Sequence, residues 1–184
     1  MRELSLHIMD IVENSLNAGA GLVEIYVKED GKSNRLSIEI SDNGRGMSED
    51  TLKKAVDPFF STRTTRRIGL GLSMLRELCK RCDGRFKIRS KQGEGTRIKA
   101  SFRLNHIDLV PFGDMAGSMM SLIVGNPEAD FLYTHEVDGR VFHLDTRQVR
   151  KELDGKEICN PQFIRSLGNL IRESLKDLMG GQDA

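Results

Sequence analysis

The sequence has no tryptophan, only two tyrosines and four prolines, and just three cysteines in 184 residues. So few cysteines, odd in number, exclude a disulfide-built scaffold, and packing has to hold the fold. No apolar run approaches the roughly 18–20 residues that a membrane helix needs. The opening residues, with Arg2 and Glu3, carry charge where an export signal needs apolar side chains. A cytoplasmic protein without a membrane contact is expected. Charge of one sign is missing too: 28 Lys and Arg stand against 27 Asp and Glu, a formal net charge of +1. That balance gives no global attraction to a phosphate backbone, so nucleic acid is not an expected partner. Glycine, by contrast, is plentiful at 18 residues, above the usual share of about 7%, and its positions matter.

Leu4, Ile8, Ile11, Val12, Ser15 and Leu16 recur at helical spacing and predict a first helix that stops at the Ala-Gly-Ala-Gly of 18–21. Asp10, Asn14 and Asn17 line another edge of that helix, with short amides and an acid where a solvated face would carry Lys and Glu. Alternating residues over 22–29 and 35–42 predict a hairpin turning at 31–34. Ser48 caps a short second helix that is expected to end at Pro58. A basic loop follows, with Arg63, Arg66 and Arg67, and then a helix with Leu72, Leu75, Leu78 and Cys79 on one stripe, closed by Asp83 and Gly84. A second hairpin turns at 91–95. The sum is an α+β domain of at least four strands with three helices on one face, expected to close near Leu104.

Residues 105–184 read as a smaller α/β extension of unknown role, with a Met-rich helix, a hairpin around Asp138 and Gly139, and a terminal helix. Phe131, Tyr133, His135 and Val137 share a face with Phe142 and Leu144 that needs covering, by this chain or another. Met115, Met119 and Met120 are expected to pack as core. The terminal stripe of Phe163, Leu167, Leu170, Ile171, Leu175 and Leu178 either docks within the chain or makes a homodimer. Cys79 and Cys82 form a lone CxxC inside a helix, which points to packing rather than metal or redox chemistry, and His135 and His143 read as structural.

Three glycine-rich strings carry the chemical signal. Asp42 begins DNGRGM directly after a strand, with its carboxylate placed to accept hydrogen bonds, although alone this is also a plain Asx and glycine turn. GLGL, residues 69–72, opens a helix behind the arginine loop, a start whose unpaired N–H groups suit a phosphate; no P-loop pattern is present. GEGT, residues 93–96, sits in the second hairpin.

Taken in order, DIVENSLNAGA, DNGRGM, DPFFSTR, GLGLS and GEGT resemble the Bergerat-fold ATPases, the superfamily of gyrase, heat-shock-90 chaperones, histidine kinases and mismatch-repair proteins. The resemblance covers roughly residues 4–104. It implies a two-layer sandwich of a mixed, mostly antiparallel sheet under three helices, binding ATP with magnesium. On this resemblance Asn14 holds the magnesium ion and Asp42 accepts the adenine amino group. Gly44, Gly46 and Met47 wall the adenine pocket, and Thr96 supports Asp42. Phe60, Thr62 and Arg63 begin the lid over the nucleotide, and Gly69, Leu70, Gly71 and Leu72 meet the phosphates as it closes. Asn17 belongs to the same nucleotide-facing edge.

NSLNAGA and DNGRGM look like mismatch-repair and gyrase ATPases, whereas PFFSTR, GLGLS and the short lid look like histidine kinases, the nearer branch. Asp10 departs from both: hydrolysing members carry glutamate there and histidine kinases asparagine. A carboxylate keeps base chemistry, one methylene shorter, so Asp10 is the candidate catalytic base, the alternative being a local structural role. No acceptor-histidine hairpin has room before the first helix. The expected function is therefore a stand-alone, kinase-like enzyme that transfers the γ-phosphoryl group of ATP to, or regulates, an unidentified partner protein. An ATP-hydrolysing conformational switch and a non-catalytic nucleotide sensor are the alternatives.

Overall fold

A computed structural model describes residues 2–55, 70–153 and 160–180. The chain runs α1 (Leu4–Asn17), β1 (Leu22–Asp30), β2 (Arg35–Asp42), α2 (Glu49–Lys54), α3 (Leu70–Arg81), β3 (Arg85–Lys91) and β4 (Gly95–Arg103). It continues with α4 (Met115–Gly125), β5 (Asp130–Val137), β6 (Arg140–Asp145), α5 (Thr146–Glu152) and α6 (Pro161–Met179). Ser48 caps α2 as its sequence suggests, accepting from the Thr51 amide, but that helix ends at Lys54, short of Pro58.

All six strands form one sheet in the order β3-β4-β2-β1-β5-β6. Every pairing is antiparallel except β1 with β5, where Leu22 to Glu29 run beside Asp130 to Val137. The fold is thus the mixed, mostly antiparallel sheet with helices on one face that the resemblance implies. Residues beyond Leu104 do not stand apart from it: their hairpin lengthens the same sheet from the edge of β1, and their apolar residues join the same core.

Strand alternation sends one row into that core. Val23, Ile25 and Val27 face the same side as Ile38, Ile40, Phe131 and Tyr133, under Ile8, Ile11, Leu75 and Leu78 of α1 and α3. The aromatic face of the β5–β6 pair is covered from within the chain, since α4 packs against α1 and α6, and α6 against β5 and β6. Met115 and Met119 are buried and Met120 packs at the core's margin. Leu167, Ile171, Leu175 and Leu178 of α6 are buried, but Leu170 is 56% exposed, because it falls about a quarter turn off the centre of that stripe. Cys79 and Cys82 are both fully buried, and burial pushes the Cys79 thiol up to about 12, so neither is a poised thiolate.

Two polar devices tie the C-terminal region to the rest. Glu3 makes no side-chain cap at the start of α1; instead the Leu4 and Ser5 amides donate to the carbonyls of Pro111 and Phe112 at 3.0 and 2.8 Å. Fully buried His135 is bonded on both ring nitrogens, to Glu29 Oε1 and to Tyr133 Oη, each at 2.8 Å, with the Phe112 ring 4.9 Å away. A structural histidine needs both partners to be affordable in a core.

His7 on α1 is less well served. It is buried, its Nδ1 has no hydrogen-bond partner, and burial first, with the charge of Arg81 adding, pushes its pKa down to about 4. The unfolded chain therefore takes up this proton near pH 6.5 and the folded one only near pH 4, so stability is whole above pH 6.5 and drains as the pH falls. The expected loss is about 2–3 kcal/mol over that window. Urea melts at pH 7 and pH 4.5 should show it in the wild type and not in His7→Leu; equal pH slopes in the two would exclude His7 as the cause.

Candidate functional site

The site lies where the end of α1, the end of β2 and the turn between β3 and β4 meet. Asp42 is the last residue of β2 and pairs across the ladder with Thr96. Its carboxylate is held from two sides: Ser15 Oγ donates to Oδ2 at 2.7 Å and the Gly44 amide to Oδ1 at 2.9 Å. An ionised carboxylate has about four acceptor positions, so two remain for a ligand's donors. Ser15 sits in the middle of the apolar stripe of α1 and is buried. Helical periodicity counted it as core filler; only the arrival of β2 makes it the partner that aims Asp42.

The loop after Asp42 is shaped by backbone approaches that no side chain could survive. Gly46, at φ +64°, lies so close to the β3 end that an added Cβ would stand 2.0 Å from the Lys91 carbonyl oxygen. Arg45 donates its amide to the Ala18 carbonyl at 2.9 Å, and its own carbonyl accepts from the Gly93 amide at 2.8 Å. Asn43 Oδ1 accepts from the Gly21 and Leu22 amides, both at 2.9 Å, which fixes the chain leaving α1 against the chain leaving β2. Ser90 joins loop to hairpin: its Oγ accepts from the Met47 amide at 2.8 Å, donates to the Gly95 carbonyl at 2.9 Å and lies 2.9 Å from Thr96 Oγ1. Asn43 and Ser90 were missed in the sequence because nothing local marks a serine or an asparagine as a hub between segments this far apart.

On α1, Asp10 and Asn14 are partly buried and stand one turn apart. An added Cβ at Gly71, in the first turn of α3, would lie 1.6 Å from Asp10 Oδ2, so the glycine is what lets this carboxylate seat itself against the helix start. Asn17 is exposed and folds back, donating from Nδ2 to the Glu13 carbonyl of its own helix. Leu72 packs at the margin of the core. Leu70 opens α3, while Phe60, Thr62, Arg63 and Gly69 fall outside the described residues.

Chemically, the arrangement offers a partly buried acceptor for an amino-bearing base at one end and a helix start beside a carboxylate and an amide at the other. The side-chain oxygens of Asn14 and Asp10 are hard donors of the kind magnesium accepts, with phosphates and waters completing such a shell. Among the described residues there is no cluster of three or more His, Cys, Asp or Glu that could hold a metal ion.

The family described as histidine kinase-, DNA gyrase B- and HSP90-like ATPase matches residues 2–106. A protein of Shewanella frigidimarina named as a sensor is 35% identical over 109 residues, 58% of this chain and 17% of that protein. The sensor protein kinase WalK of Staphylococcus haemolyticus is 31% identical over 106 residues, 54% of this chain and 17% of that one. The chain thus spans about a sixth of the length of these relatives. Among solved structures, the N-terminal domain of a DNA repair protein superposes with a TM-score of 0.59 at 17% identity, covering 79% of this chain and 53% of that one, a likeness of fold. Among the described residues no helix is long and apolar enough to cross a membrane.

Proposed function

Because the chain belongs to the histidine kinase-, DNA gyrase B- and HSP90-like ATPase family, we propose that it binds magnesium-ATP between α1, the Asp42 loop and the start of α3, and transfers the γ-phosphoryl group to a partner protein. The observation that carries this reading is the doubly held Asp42 carboxylate, with Ser15 and Gly44 as its supports. The adenine amino group donates to the acceptor positions those supports leave open. Gly44 and Gly46 let the loop after Asp42 close against Ala18 and Lys91, which shapes the wall of the base site, and the helix start beside Gly71 receives the phosphates. Asn14 would hold the magnesium ion, which supplies charge neutralisation at the phosphates. Asp10 then takes the proton of the partner's acceptor group as that group bonds to the γ-phosphorus and the bond to ADP breaks.

A second reading, an ATP-hydrolysing switch with water as the acceptor, is favoured by the way α1 is held: its first amides bond the 111–112 carbonyls and α4 lies along it. A shift of α1 on nucleotide binding would therefore move the C-terminal region with it.

Incubation with γ-labelled ATP and cell lysate tests both. The wild type should label a partner band, and Asp10→Asn should label it at least about a hundredfold more slowly while still binding ATP. An unchanged labelling rate in the variant removes Asp10 from the chemistry. Release of phosphate with no labelled protein supports the switch instead.

A further inference from the structure

The charge balance of the whole chain conceals a segregation that the sheet creates. Among the described residues no helix covers the second face of β3 and β4, and the outward rows of those strands are basic: Arg85, Lys87 and Arg89 on one, Arg97, Lys99 and Arg103 on the other, all exposed. Glu39 is the one acid among the outward residues of β2, β3 and β4, and it is shared by Arg97 at 3.3 Å and Lys99 at 2.7 Å. Arg85, Lys87 and Arg89 make no ion pair among the described residues. The other half of the same face is balanced, with Lys28 and Tyr26 both bonded to Glu136. At the strand ends the basic half opens into a groove of about 470 Å³ whose lining includes Arg89, Lys91, Arg97 and Glu24 and reaches Asp42 and Thr96 at the edge of the nucleotide site.

We infer that this basic half-sheet docks an acidic surface of the partner protein, on the side of the sheet opposite the nucleotide. The inference rests on the partner-directed function proposed above and adds the chemistry of the partner. Three features select a protein. Outward residues of β3 and β4 include no aromatic ring on which a single-stranded base could stack. Glu39 lies at the centre of the cations and Glu24 and Glu94 border the groove, so carboxylates would face the phosphates of a duplex, whereas protein side chains can pair with both signs. At about 4.8 Å between strands and 3.3 Å per residue, the β2–β4–β3 face presents roughly 400 Å². That is less than the about 800 Å² per partner of a stable complex, and suits a short-lived, charge-steered encounter. The unpaired row lies along an edge strand, where like charge also discourages strand pairing between copies; that role alone predicts no affinity for an acidic ligand.

The test uses the full chain and two fluorescent probes, a polyglutamate peptide and a DNA duplex of equal charge, followed by anisotropy at low and moderate salt. Wild-type protein should bind polyglutamate in preference to the duplex, with affinity falling as salt rises. Arg85→Glu with Lys87→Glu should bind it at least about tenfold more weakly, and Arg85→Gln with Lys87→Gln should fall between. ATP titration of the same variants should match the wild type, which separates the docking face from the nucleotide site: failure of ATP binding in the wild type would overturn the proposed function, not the acidic docking. Equal polyglutamate affinity in wild type and the Glu variant, or tighter binding of the duplex, overturns the inference.

Discussion

Asp42→Asn should weaken ATP binding roughly 30- to 150-fold, a loss of about 2–3 kcal/mol, with the fold intact. The direction follows from what already surrounds the carboxylate. The Gly44 amide can only donate, so the oxygen of an asparagine must take the Oδ1 position, 2.9 Å from that amide. The amide nitrogen is then forced to the Oδ2 position, where Ser15 can turn its hydroxyl to accept, as it now stands 2.7 Å away as a donor. Local bonding is thus repaired, and the protein should melt as the wild type does. The ligand side is not repaired, because an NH2 group now faces the adenine amino group and a charge-assisted bond becomes a donor–donor clash. Calorimetric titration with ATP is the measurement. A change smaller than about threefold would mean that the nucleotide's base lies elsewhere.

Gly95→Ala should be the most destabilising single substitution in the site, costing about 3–5 kcal/mol. Its φ of +84° already disfavours any side chain, and a Cβ there would stand 1.9 Å from the Asp42 carbonyl oxygen. Rigid backbone cannot give way by more than 1 Å without separating β4 from β2 at the Asp42–Thr96 pair. Gly93 supplies the control: its φ is +82°, but nothing lies within 4 Å of an added Cβ, so Gly93→Ala should cost only the conformational strain of about 1–2 kcal/mol. In thermal melts the difference should be several degrees, at roughly 2–4 °C per kcal/mol for a chain of this length. Equal shifts for the two variants would refute the close approach at residue 95.

Much of this architecture is legible locally. The stripe from Leu4 to Leu16, the two alternating hairpins and the Asp138–Gly139 turn, with Asp138 at φ 48° and Gly139 at φ 86°, all form where their patterns put them. Each depends on neighbours within a turn or a pair of strands, which is the range over which periodicity and turn chemistry act. The proposed adenine end is legible for the same reason, because Asp42, Gly44 and Gly46 lie together in one string.

What the sequence by itself determined is therefore the elements apart from α5, the membership of one row of side chains in a core, and the strings that mark a nucleotide-type site. Only the tertiary structure decided that β5 lies parallel beside β1, since Leu22 and Asp130 are neighbours through a pairing that no local pattern encodes. It likewise decided that Ser15, on an apolar stripe, and Ser90, on an edge strand, are the hydroxyls that hold Asp42 and its loop. And it decided where charge sits: a sum of +1 says nothing of sign on one face, because strand alternation and burial of the opposite row sort like charges together only once the strands are side by side.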